Sequence, residues 1–201
     1  MKKLLQKGRS KMARGRDSKY VKKLTGRDII LLKGLARTGI ASQSQAGDFC
    51  GVNPERLEKL ENSKYIKLRN LTVNGQNTQI IQLEKGGKNY CRNELSIQSF
   101  AAAQTNHLDH DLKLSFTYYS LNPEIRETWE HERDIILEIY EKYPEIQTNN
   151  QLRTCIDARI TLGDGTTLAI ESVGDSYGNI EIMEKEAIAI NLAGCDTISY
   201  V

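Results

Sequence analysis

The chain of 201 residues is long enough for one large domain or two small ones, and its 39% hydrophobic content is that of a soluble globular protein. Cys50, Cys91, Cys155 and Cys195 are widely spaced and form no Cys-x-x-Cys pair. That pattern argues against a zinc site or a disulfide framework and fits isolated buried thiols in a reducing compartment. Lys2 to Leu5 is basic but no long apolar run follows, so no secretory signal, no membrane span and a cytoplasmic location are expected.

The net charge of +2 conceals an asymmetry. Residues 1–27 carry eleven of the 28 Lys and Arg and a single acid, Asp17, whereas the rest of the chain holds 17 bases and 25 acids. A cationic arm on an acidic body points to an anionic polymer as partner, because clustered bases release counterions from phosphates. A merely solubilising tail is the alternative. Residues 1–23 have no stable apolar period and contain Gly8 and Gly15, so a flexible basic arm is expected there.

Order is predicted from Thr25, which caps a helix with Asp28 three residues on and Ile29, Leu32, Leu35 and Ala36 along one face. Gly39 stops it, and Ser42 caps a short second helix over Gln43 to Phe49. Gly51 and Asn53 form a turn, and Pro54 opens a third helix over Glu55 to Asn62. Two strand-like runs follow, Tyr65 to Arg69 and Thr78 to Leu83, joined at Asn74-Gly75 by a hairpin signal, and a further helix begins at Glu84. Three helices and then a two-stranded hairpin is the order of a winged helix-turn-helix, predicted for residues 24–95.

In such a fold the helix after the turn enters the major groove and the hairpin tip touches an adjacent groove or the backbone. Lys22 and Lys23 from the arm and Arg27 at the start of the first helix are candidate contacts to double-stranded DNA. Asn53, Arg56, Lys59, Asn62 and Lys64 are candidates around the third helix, and Lys67, Arg69, Asn74 and Gln76 on the wing. Arg56 and Asn62 are types that bond base edges, whereas Lys59 and Lys64 suit phosphates. Glu55, Glu58 and Glu61 on the same helix would repel phosphate if they faced the duplex. A winged helix used for protein contacts or dimerisation is the alternative.

The second half is predicted to hold a helix over Asn106 to Leu121 and an extended segment near Glu127 to Ile135. A helix over Ile135 to Lys142, ended by Pro144, comes next. Strands over Cys155–Leu162 and Thr167–Val173, a helix over 179–193 and a closing strand from Thr197 complete an α/β arrangement, with the boundary between halves near residues 95–105.

Thr25-Gly-Arg-Asp-Ile-Ile, Leu57-Glu-Lys-Leu-Glu-Asn-Ser-Lys-Tyr-Ile and Gln82-Leu-Glu-Lys-Gly-Gly-Lys resemble the winged-helix part of the replication-relaxation proteins of Gram-positive plasmids and conjugative elements. His110-Asp-Leu, Trp129-Glu-His-Glu, Ile156-Asp157-Ala, Ala169-Ile-Glu171 and the run from Tyr177 through Lys185 resemble that family's second half, in the same order. The resemblance spans roughly residues 25–195 and implies an α+β fold in which residues 105–201 form a small α/β domain similar to restriction endonucleases. There, Asp157 and Glu171 would hold Mg²⁺, Asp111 could add a carboxylate, and a lysine two residues after the glutamate would orient the attacking water. This chain reads Glu171-Ser-Val173, so the lysine position is apolar, and Lys185 on the following helix is the candidate substitute.

The resemblance therefore implies a DNA-binding accessory protein of a mobile element, in replication, conjugative transfer or transcriptional control, with a nuclease-like domain that has lost activity and needs no cofactor. A Mg²⁺-dependent endonuclease or nickase and a DNA-tethered protein adaptor remain the alternatives. Other proteins of a replication or transfer complex are compatible partners, as is a homodimer. The pair His107 and His110, flanked by Asp109 and Asp111, reads as metal ligands or as structural residues. Trp129, Tyr118 and Tyr119 are expected in the core, and the acids between Glu181 and Glu186 on a solvated face.

Overall fold

The computed structural model describes residues 18–103, 107–149, 152, 154–174 and 178–201. Most of the basic arm, residues 1–17, thus lies outside the described residues. The protein is a mixed α+β fold with two small sheets.

In the first half, caps fix the helices. Thr25 and Asp28 exchange backbone-to-side-chain hydrogen bonds at the start of α1 (Gly26–Thr38), and Gly39 closes it in the left-handed region at φ 79°. Ser42, in β1 (Ala41–Ser42), makes the same reciprocal arrangement with Gln45 for α2 (Gln43–Cys50). The Asn53 side chain caps α3 (Pro54–Asn62), where proline takes the first helical position. β2 (Ile66–Val73) and β3 (Gln76–Leu83) then form an antiparallel hairpin. Its two-residue turn has Asn74 at φ 48° and Gly75 at φ 77°, the positive angles that match the twist of paired strands. β1 pairs on the far side of β3, and α4 (Lys85–Leu95) follows.

The second half begins with α5 (Leu108–Ser120). The extended segment expected near Glu127 to Ile135 is mostly helical. Pro123 opens the short α6 (Pro123–Glu127), only Glu130 and His131 pair as β4, and α7 (Glu132–Lys142) begins at once. Pro144, expected only to end a helix, also opens the five-residue α8 (Pro144–Thr148), because proline suits a first helical turn. β5 (Ala158–Thr161) pairs antiparallel with β4 and with β6 (Thr167–Glu171). β7 (Thr197–Tyr200) pairs parallel to β6, which requires a crossover, supplied by α9 (Asn179–Asn191).

One hydrophobic core crosses from half to half. Leu31, Leu32, Leu35, Leu57 and Ile81 share it with Tyr118, Tyr119, Trp129, Ile160 and Ile170, and each such large side chain contributes about 1.5–3 kcal/mol when fully buried. α1 and α5 meet where Gly34 has no side chain. A Cβ there would lie 2.1 Å from the Tyr119 hydroxyl oxygen, which donates to Leu31 O at 3.1 Å. Gln45 adds a polar tie, donating to Leu112 O at 2.9 Å and accepting from Ser115 Oγ at 3.2 Å. The two halves thus share one continuous core on either side of the boundary expected near residues 95–105. A second cluster, with Ile135, Ile139, Ile156 and Ala189, packs α7 and α9 on the second sheet. Among the described residues no helix is long and apolar enough to cross a membrane.

Candidate nucleic-acid interface and carboxylate cluster

The predicted DNA-contacting residues divide into two groups. Arg56 is turned inward: its Nε donates to Asp28 Oδ1 at 3.0 Å and its Nη2 to Asp28 Oδ2 at 2.5 Å and to Lys23 O at 2.9 Å. Asp28 is fully buried; burial alone would raise its pKa, but the Arg56 and Thr25 hydrogen bonds outweigh that and bring it below the usual carboxylate value. The pair ties α3 to α1, so Arg56 positions a helix and is not free to reach a base. Asn53 is spent on its cap, and Asn62 Nδ2 donates to Lys19 O at 3.3 Å. Lys59 is half-buried and has a partner. Arg27 donates to Gly51 O at 3.4 Å, and Asn74 at the hairpin tip donates to Asp109 Oδ1 on α5 at 2.8 Å.

The other group, Lys22, Lys23, Lys64, Lys67, Arg69 and Gln76, is exposed and makes no side-chain hydrogen bond among the described residues. None of these cations forms an ion pair among the described residues. Of the acids on α3, Glu61 is turned to the hairpin, where its Oε1 accepts from Leu68 N at 2.8 Å, while Glu55 and Glu58 stay exposed. Residues 19–23 lie along α3. Besides the bonds from Asn62 and Arg56, Val21 N donates to Ser63 Oγ at 2.8 Å. The seven cations of residues 1–17 are therefore joined to the chain beside α3.

In the second half Asp157, Glu171 and Lys185 come together, although they are far apart in the sequence. Lys185 Nζ lies 2.6 Å from Glu171 Oε1 and also donates to Cys155 O, with both side chains buried. Glu171 Oε2 accepts from Asp157 N at 3.2 Å. Asp157 Oδ2 accepts from Ser172 N at 2.8 Å and lies 3.0 Å from His110 Nε2, while His110 Nδ1 lies 3.2 Å from Asp111 Oδ1. Hydrogen bonds to Asp111 and then Asp157 push the His110 pKa up to about 10, so the ring is an imidazolium at neutral pH. Glu132 keeps solvent along its outer side, but protein packed around its carboxyl, followed by Asp157, raises its pKa.

These residues fit a divalent cation poorly. The Asp111 and Asp157 carboxylates converge on the His110 ring, and Glu171 is fully buried with one oxygen on an ammonium and the other on an amide. Hard cations take several converging oxygens. Among the described residues no group of three or more His, Cys, Asp and Glu side chains has that geometry.

His110 as the bridge between Asp111 and Asp157 is the feature that sequence reasoning missed, though the run Asp109-His110-Asp111 carried a signal of it. Ser172, buried beside Asp157, was also missed and left no signal. All four cysteines are free and buried, and burial raises Cys50 and Cys155 to about 12 and Cys91 and Cys195 to about 11. Comparison with protein-family models, with curated proteins and with solved structures found no significant match to this chain.

Proposed function

We propose that the protein binds double-stranded DNA through its first half and serves as an accessory factor of a mobile genetic element, in replication, transfer or transcriptional control. One observation carries this reading: Lys64, Lys67 and Arg69, with Lys22 and Lys23, are exposed on and beside α3 and the hairpin and form no ion pair among the described residues, and the basic arm joins the chain there. Helix, short strand, two helices and a hairpin in that order support a winged helix-turn-helix, with α3 as the helix nearest the groove. The cations suit phosphates, and the side chains singled out as able to read bases, Arg56 and Asn62, are engaged within the chain. Affinity then comes mainly from charge, with modest sequence preference.

In this reading the second half is similar to a nuclease core only in outline, and its ion cluster supports the fold. A Mg²⁺-dependent nuclease has one observation in its favour, the convergence of Asp157, Glu171 and Lys185. Incubating pure protein with supercoiled plasmid, with and without Mg²⁺ or Mn²⁺, separates the two on one gel. A retarded band without nicking at low salt is expected. Metal-dependent nicking that disappears in Asp157→Ala would establish the nuclease instead, and absence of any retardation would remove the DNA reading.

A further inference from the structure

Lys67 and Arg69 lie two apart on β2 and so belong to one face of the hairpin, opposite the face on which Ile66 and Leu68 pack against the core. Both line a groove of about 290 Å³, together with Lys88 of α4 and residues 100–103. That last segment is fixed against the end of α1. Ala101 N donates to Ala36 O at 2.9 Å, and a Cβ on Gly39 would come within 2.7 Å of Ala103 N. Residues 101–103 are alanines and carry nothing longer than a methyl group, so a polymer strand can come close to the chain there.

Charge in this groove is one-sided. Among the described residues three cations line it against one acid, Glu84, in a chain that past residue 27 holds 17 bases and 25 acids. Arg92, one helical turn after Lys88, adds a fourth cation beside it. The Arg92 guanidinium lies 4.8 Å from the centre of the Phe100 ring and Lys88 Nζ lies 5.9 Å from it, so the negative face of that ring attracts both. Lys88 and Arg92 are exposed like charges at i and i+4, which repel each other along α4. None of the four cations forms an ion pair among the described residues. Like charges gathered in one place without acids to match them call for a polyanion.

We infer that this groove holds a phosphate of the double-stranded DNA backbone, with Lys67, Arg69 and Lys88 donating to its oxygens and Arg92 contacting the adjoining phosphate. The inference rests on the duplex-binding reading above and extends the contact surface from α3 and the hairpin to α4. At about 290 Å³ the groove lies just below the range of small-ligand sites, which favours a stretch of backbone over a free nucleotide. Phe100 is a positioning residue that acts through Lys88 and Arg92.

The test is binding of a labelled duplex by the full chain, followed by anisotropy across a salt series, with circular dichroism to show that each variant is folded. Lys88→Gln with Arg92→Gln should weaken binding about tenfold at moderate salt and lower the slope of log affinity against log salt by about 2. Arg133→Gln with Lys142→Gln removes the same charge from α7 and should leave the slope at the wild-type value. Phe100→Leu keeps an apolar side chain without the ring, and should weaken binding about two- to fivefold with an unchanged slope. Lys88→Arg should bind as the wild type does. Equal losses in the two double variants would make net charge the only cause and overturn the proposal. A loss seen only with single-stranded DNA of the same length would overturn it too, as would a folded Lys88→Gln, Arg92→Gln chain with wild-type slope and affinity. In that last case steep wild-type binding leaves the DNA reading standing, whereas absence of wild-type binding at low salt removes both.

Discussion

Along α3 and the hairpin the chain leaves Lys64, Lys67 and Arg69 exposed and without an ion pair among the described residues, whereas around the second sheet charge is tied to charge. Lys185 meets Glu171, His110 joins Asp111 to Asp157, and Arg159 holds Glu130 at 2.7 Å and also pairs with Glu138. The difference separates two uses of the same residue types. A charge with buried partners fixes where elements sit, because removing one partner strands the other in a poor solvent. A charge left in water adds little to the fold and stays available to a polyanion. Arg56 belongs to the first class although its helix belongs to the second region, which is why it was misread from sequence.

The comparison can be broken at several points. Glu171→Gln removes one member of the most deeply buried pair and should cost about 3–5 kcal/mol, read as a lower urea midpoint. The double variant Glu171→Leu with Lys185→Met should recover much of that loss, since apolar replacement of a buried pair is often close to neutral. A single variant as stable as the wild type would show that the pair does not fix the second sheet.

Arg56→Ala should follow, at about 2–3 kcal/mol near pH 7, because fully buried Asp28 loses its partner. Asp28 has a lowered folded pKa, so its contribution is present above the ordinary value of 3.8 and is lost as pH falls through the folded value. The gap between wild type and variant should therefore shrink below pH 3.8, and a constant gap in acid would refute the role given to the pair.

His110→Gln should have a smaller effect, about 1 kcal/mol at pH 6, because the ring is one-third exposed and solvent screens it. The folded pKa is raised to about 10 from 6.5, so the stabilisation is complete below pH 6.5 and lost as pH rises toward 10. The facing groups are Asp111, Asp157 and, more weakly, Glu132. Melting temperatures of wild type and variant should converge across that interval, and parallel curves would contradict the bridge. Least affected in stability are Lys64→Gln, Lys67→Gln and Arg69→Gln, each within about 0.5 kcal/mol of wild type.

How much of this was legible in the sequence depends on distance along the chain. Thr25 with Asp28, Ser42 with Gln45, Pro54, and Asn74 with Gly75 act over two to four residues, so the helix starts and the hairpin were readable. Arg56 read as a free arginine because Asp28 lies 28 residues away, and the His110–Asp157 contact spans 47. The short span from Glu130 to His131 offered too little alternation to be told from the helices on either side. Lys185 was readable as a candidate, but only packing of α9 on β6 could bring it to Glu171 rather than into solvent with Glu181 and Glu184. The shared core was hidden because the run Ser99–Thr105 suggested a break between halves, whereas the Tyr119 to Leu31 contact joins positions 88 apart in the chain.

The most direct test is the salt dependence of duplex binding, followed by fluorescence anisotropy on the full chain without divalent metal. Wild type should bind at low salt with a steep linear fall of log affinity against log salt, and the triple variant Lys64→Gln, Lys67→Gln, Arg69→Gln should weaken binding and reduce that slope by about 3. Absence of binding at low salt, or a triple variant with the wild-type slope and affinity, would contradict the account.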